Sequence, residues 1–257
     1  MGSRNLINQF IALSGLPRTG STLLSAILSQ NPAIHAEGNS AVCQLMWDMQ
    51  QSVLNSEQMQ ASGKDFVGKL VRSIPNIYYS DTPRPIIVDK CRSWTLPANL
   101  EMLNKYFDNP VKIIVLVRPV VEIVASFMAL RKANGWTNLE AGLLDDGSEP
   151  IMRSLAGVEW ARKNNTGQFL FVTYDELIDD TQASLCRIYQ HCGWQPFEHN
   201  LQNIVNNHKE NDAVYGLIGQ HDIRSTISKR ILDVKLSNKL VNKCIQLDVQ
   251  ALSQSVI

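Results

Sequence analysis

Gly15 and Gly20 bracket Leu16, Pro17, Arg18 and Thr19, and Ser21 and Thr22 follow at once. Two glycines at that spacing let a loop wrap until several backbone N–H groups converge on one point, and a helix starting near Ser21 adds the positive end of its dipole. Together they make an anion cradle. The frame matches G-x-x-x-x-G-[KST]-[ST], but the lysine that would reach the terminal phosphates of a nucleoside triphosphate is replaced by Ser21, and a cation stands inside the loop at Arg18. A donor ending in one 5′-phosphate-type group suits this loop better than ATP or GTP. Further along, Asp89-Lys90 and Arg118 each follow an apolar run, and Glu37 ends a short one, so the other charges with chemical potential stand at segment ends. Ligands in open α/β sheets bind at the carboxyl ends of strands.

The elements that must position these groups are legible from periodicity. Residues 10–14 read as a buried strand, and 21–30 as a helix with Leu23, Leu24, Ile27 and Leu28 on one face, stopped by Asn31-Pro32. A short strand over 34–37 follows. Ser40 is a plausible cap for a long helix through Met46 and Leu54 to Gln60, and a further helix runs from Asp65 to Ile77. Residues 85–88 predict a second buried strand, 96–107 a helix, and 111–117 the most strand-like run in the chain; Pro119 suits the first turn of a helix over 120–131. Residues 134–148 are acidic, rich in glycine and aperiodic, and read as a mobile loop or lid that could contribute to an acceptor pocket. A helix over 150–164, a strand over 169–173 and a helix over 181–192 ended by Gly193 follow; 200–221 is polar and aperiodic, and 236–252 is a closing helix. Strands alternating with helices predict one α/β domain over 1–257, a doubly wound, mostly parallel sheet flanked by helices in the manner of P-loop NTPases.

Composition narrows the function classes. A chain of 257 residues, 44% hydrophobic and 19% charged, can build one large core. Lys plus Arg equals Asp plus Glu at 24 each, so no net field favours nucleic acid or an anionic membrane. The 5 cysteines are odd in number, scattered and without C-x-x-C spacing, which argues against a disulfide framework or a zinc site and for a reducing compartment. The apolar run around Phe10 is too short to span a bilayer, so the expectation is a cytoplasmic protein without a membrane span.

Four segments, in order, resemble the sulfotransferases that take sulfate from 3′-phosphoadenosine-5′-phosphosulfate (PAPS), over roughly residues 10–193. Pro17-Arg18-Thr19-Gly20-Ser21-Thr22 resembles their 5′-phosphosulfate loop in the form found in the tyrosylprotein, carbohydrate and bacterial branches. Residues 115–118 with Ser126 resemble the 3′-phosphate motif, Asp89-Lys90 the strand-end lysine at the transferring sulfuryl group, and Tyr174-Asp175-Glu176-Leu177 an element whose tyrosine lies near the adenine. Pro119 stands where the family often has Asp. Lys90-Cys91-Arg92 stands where the cytosolic branch has Lys-Thr-His, so no catalytic histidine carries over there. The C-terminal Arg-Lys-Gly of that branch is missing, with Arg224 or Ser228-Lys229-Arg230 as its replacement.

The resemblance implies sulfuryl transfer to a hydroxyl or amine acceptor by in-line displacement, with release of 3′,5′-adenosine bisphosphate (PAP) and no required metal. Arg18 and Lys90 would stabilise charge, and Glu37 would be the base, with His35 its competitor. The acceptor is expected to be a small molecule, carbohydrate or lipid, and no motif in residues 134–148 or 200–221 sets these apart from a peptide. The alternatives are a P-loop nucleotide kinase or ATPase, with Asp89 on magnesium, and a nucleotide-binding module without turnover.

Overall fold

The structure is a computed structural model that describes residues 7–63, 66–147, 149–229 and 233–252. Asp65, Ser148 and Arg230, used in the sequence reading, lie outside the described residues.

Five strands and their crossovers define the architecture. In chain order they begin β1 (Gln9–Gly15), α1 (Ser21–Leu28), β2 (Ile34–Asn39), α2 (Val42–Leu54), α3 (Glu57–Ser62), α4 (Val67–Tyr78) and β3 (Ile86–Lys90). A 3₁₀ turn at Arg92–Thr95 leads to α5 (Pro97–Tyr106), β4 (Ile113–Val117), α6 (Val120–Ala133), α7 (Ile151–Lys163) and β5 (Phe169–Thr173). The chain ends with α8 (Tyr174–Asp179), α9 (Thr181–Cys192), a second 3₁₀ turn at Asp212–Tyr215 and α10 (Asn238–Ala251). The strands order as β2-β3-β1-β4-β5, and every pairing is parallel. This is the α/β doubly wound sheet that the alternation predicts.

A parallel sheet covered on both faces needs strands apolar on both sides, and β4, Ile-Ile-Val-Leu-Val, is buried at every position. Alternate side chains feed two cores. Phe10, Ile87, Ile113 and Val115 pack with α2, α4, α5, α6, α7 and α10. Ile11, Leu13, Val88, Ile114 and Leu116 pack with α1, α8 and α9. Among the described residues no helix is long and apolar enough to cross a membrane.

Three local expectations change. The helix expected from Ser40 to Gln60 is two helices, because the chain turns at Asn55 and Ser56, where the Ser56 hydroxyl accepts from the Met59 amide at 3.3 Å and caps α3. Ser40 stands one residue ahead of the cap position, Ala41; its hydroxyl accepts from the Val42 amide at 3.3 Å and donates to Asp89 Oδ2 at 2.5 Å, which ties the start of α2 to the end of β3. The segment 134–147 is pinned down as well. Leu143 and Leu144 are buried, Arg131 Nη1 donates to the carbonyls of Leu139 and Ala141 at 2.9 and 2.8 Å, and Lys243 holds the Leu144 carbonyl at 2.7 Å.

Candidate functional site

The glycine loop forms the floor of a cleft at the carboxyl ends of the strands. Gly15 takes φ +120° against the backbone of Leu116, Arg18 adopts φ 59°, and Gly20 at φ 80° is the N-cap of α1. The fully buried Thr19 hydroxyl donates to the Leu16 carbonyl at 2.8 Å and holds the loop's turn from inside, so only its backbone can serve a ligand. The first turn of α1 carries no acidic residue, which leaves its dipole end available to an anion.

Pro17, Arg18, Gly20, Ser21 and Thr22 line the cleft, and so do Lys90, Arg118, Ser126, Tyr174 and Arg224 from four other parts of the chain. β1, β3 and β4 lie side by side, so residues 15, 90 and 118 at or just beyond their ends meet at one edge. Lys90 Nζ donates to Thr22 Oγ1 at 3.3 Å and is 4.0 Å from Glu210 Oε1. Burial above all, with the positive charges of Arg92 and Arg18, lowers its pKa to about 8 against the pull of Glu210 and Asp212. Arg118 donates through Nε to Glu122 at 2.9 Å and through Nη1 to the Arg18 carbonyl at 2.9 Å. Its guanidinium lies 3.9 Å over the Tyr174 ring. Arg18 Nε reaches Ser126 Oγ at 3.0 Å, and Arg18 Nη1 also donates to the Gln220 carbonyl. Arg224 donates to Ser228 Oγ at 2.7 Å.

Glu37 is not among the cleft-lining residues. Strand alternation sets His35 and Glu37 on one face of β2, where Glu37 Oε2 lies 3.2 Å from His35 Nε2 and 3.8 Å from His208 Nδ1. The register shifts between Ala36 and Asn39, and Asn39 is the β2 residue that lines the cleft. The basic group that does line it comes from the segment the sequence left unread. His221 Nδ1 lies 2.5 Å from Asp212 Oδ1 and 3.6 Å from Glu210 Oε2, and its Nε2 faces the side-chain amides of Asn39 and Gln220, each at 3.4 Å. A proton on Nδ1, donated to Asp212, leaves Nε2 as an acceptor. Burial works against the Asp212 charge, but hydrogen bonds from the His221 backbone and ring hold its carboxyl below the usual range. An Asn-Asp tandem at 211–212 followed by Gln-His at 220–221 was the only trace of this pair in the sequence.

Residues 220–228 also close the cleft from above; no described residue of the segment 134–147 lines it. The enclosed space is about 130 Å³, below the roughly 300 Å³ at which small-molecule sites begin.

Asp89 has no exposure and accepts from Ser40, Tyr79 and Trp94 at 2.5, 2.7 and 2.7 Å. Strand alternation turns it away from Lys90, so it cannot hold magnesium in the cleft, and with Ser21 in the lysine position the kinase reading has no support.

The sequence matches the family model described as Sulfotransferase family over residues 11–199. No curated protein sequence matches it. Among solved structures, the sulfotransferase domain from the curacin biosynthetic pathway aligns with a TM-score of 0.63 at 20% identity, over 96% of this chain and 98% of that one. The sulfotransferase domain of the Synechococcus PCC 7002 olefin synthase gives 0.61 at 21%, over 93% and 92%. Mouse sulfotransferase SULT7A1, complexed with PAP, gives 0.51 at 12%, over 100% and 88%. At these identities the neighbours share the fold, and the match across residues 11–199 carries the conclusion that the chain belongs to the sulfotransferase family, whose members transfer a sulfuryl group.

Proposed function

We propose that the sulfuryl donor is PAPS and that the chain passes the group to a hydroxyl, or an amine, of a small-molecule, carbohydrate or lipid acceptor. The observation that carries this is the pairing of two cationic sites in one cleft, the loop with Lys90 and the connected group of Arg18, Arg118 and Ser126. A donor with phosphates on both its 5′ and 3′ sides matches two such sites; a triphosphate matches neither.

The loop N–H groups, Arg18 and Thr22 hold the 5′-phosphosulfate. Arg118 and Ser126, with Arg224 from the covering strap, take the 3′-phosphate, and Tyr174 supports Arg118 from below. The strap must lift for a nucleotide to enter, because the Arg18 contact to the Gln220 carbonyl closes the cleft. Lys90 faces the oxygen on which charge builds as the bond from sulfur to the 5′-phosphate breaks. His221 Nε2, oriented by Asp212, takes the acceptor proton as the new oxygen–sulfur bond forms. The products are the sulfate ester and PAP. Five free cysteines support a cytoplasmic location.

Mass spectrometry of PAP and sulfated product, from PAPS and a panel of acceptor classes, tests the reading. His221→Asn is expected to lower turnover by about 10²–10⁴ with PAP affinity retained, and Glu37→Gln to be mild. The reverse ranking would return the base to Glu37, and ATP-dependent phosphorylation with no use of PAPS would overturn the donor.

A further inference from the structure

Among the described residues four arginines line the cleft, and three are engaged within the protein. Arg18 donates to Ser126 and Gln220, Arg118 to Glu122 and the Arg18 carbonyl, and Arg224 to Ser228. The fourth is Arg92, half-buried at the start of the 3₁₀ turn after β3. Its backbone is fixed, since its carbonyl accepts from Ser14 Oγ at 2.8 Å and Thr95 Oγ1 at 3.3 Å. Among the described residues nothing accepts from its guanidinium.

A guanidinium carries five N–H donors, remains charged at any working pH and loses solvation when it is withdrawn from water. The two acids whose charges act on Lys90, Glu210 and Asp212, are already used. Glu210 accepts from the Asn39 amide at 3.0 Å and from the Tyr215 hydroxyl at 3.0 Å, and Asp212 accepts from His221. The charge of Arg92 acts on Lys90 and on the Tyr215 hydroxyl, and the Tyr215 ring lies 5.3 Å from that of His221. Arg92 stands two residues beyond Lys90 at the end of β3, the strand paired with β2, whose Asn39 lines the cleft with Lys90 and His221.

We infer that Arg92 reads an oxyanion on the acceptor itself, so that the acceptor is a hydroxyl compound bearing a carboxylate or a phosphate ester. This deepens the sulfotransferase reading above and rests on it. A planar fork matches either oxyanion with two parallel hydrogen bonds, and holding that group would present the hydroxyl to His221 Nε2 and to the sulfur held near Lys90.

The test uses the full chain with PAPS and terminal alkanols of matched length ending in a carboxylate, a phosphate monoester or the methyl ester of the carboxylate. The wild type is expected to use a charged member with kcat/KM about 10- to 100-fold above the ester, mostly through KM. Arg92→Gln should bring that ratio close to one, and Arg92→Lys, which keeps the charge without the fork, should retain an intermediate preference. The comparison of carboxylate with phosphate shows which oxyanion is read. The inference falls if the wild type uses ester and carboxylate alike, if it uses no member of the series, or if Arg92→Gln lowers every member by one factor. That last outcome would assign Arg92 to the donor's sulfuryl group. The melting shift with PAP in the same samples separates the two levels. PAP protection without charge preference removes only the role of Arg92, whereas the absence of both PAP protection and turnover removes the donor assignment too.

Discussion

At the scale of single residues, the charge state of Lys90 sets a measurable limit. It is 5% exposed, and burial together with Arg92 and Arg18 brings its pKa down to about 8, so the ammonium that would stabilise the leaving oxygen is lost as pH rises through that value. The free-enzyme profile, kcat/KM against pH, should fall above about pH 8. Lys90→Arg should remove that limb even if it lowers the plateau, because a guanidinium does not titrate there. An unchanged alkaline limb in the variant would assign it to another group. The same shift carries a sign for stability. Between about pH 8 and the ordinary lysine value near 10.4 the unfolded chain binds more protons than the folded one, so the ligand-free fold gains stability as pH rises through that window.

At the scale of elements, the first glycine of the loop is a packing requirement and the second a conformational one. A Cβ on Gly15 would stand 2.0 Å from the Leu116 carbonyl oxygen and 2.6 Å from its amide nitrogen, both backbone atoms in the middle of the sheet. The Leu16 amide donates to that same carbonyl at 2.9 Å, so the close approach of β1 to β4 is also what positions the loop. At Gly20, with φ +80°, a Cβ would meet only the Leu177 and Tyr174 side chains, at 3.4 and 3.5 Å. Gly15→Ala is therefore expected to destabilise by about 3 kcal/mol or more, since strands must separate, and Gly20→Ala by about 1–2 kcal/mol for left-handed strain. Urea unfolding of both variants checks this, and equal losses would contradict the argument.

At the scale of the whole molecule, the strand order places β1 between β3 and β4, and the chain crosses to opposite sides of β1 in its two halves. A crevice opens at such a switch point, and the loop after β1 fills its floor. A ligand spanning the crevice and the strap over it ties both halves together. PAP at a hundredfold excess over its dissociation constant should stabilise the fold by about 2.7 kcal/mol, a melting rise of roughly 5–10 °C for a chain of this length. Magnesium ATP should give much less, because Ser21 offers no clamp to its terminal phosphates. Equal protection by the two nucleotides would contradict the reading of the loop.

What the sequence determined by itself was whatever local chemistry encodes. Apolar runs, glycine spacing and proline stops were enough for the parallel sheet, the loop and the strand-end cations Lys90 and Arg118, because each depends on residues close in sequence and on the rule that strand ends converge. The tertiary structure decided which charges share the cleft. Whether Glu37 points in or out turns on strand parity and a register shift before Asn39, and one residue of slip reverses a side chain's face. His221, Asp212 and Glu210 stand more than a hundred residues from Lys90, in a segment without periodicity, and only folding of that strap onto the sheet's edge brings them within hydrogen-bonding and ion-pairing distance of the site. The guanidinium of Arg92, unmatched among the described residues, is likewise invisible in a sequence with balanced charge, because pairing is a property of positions in space.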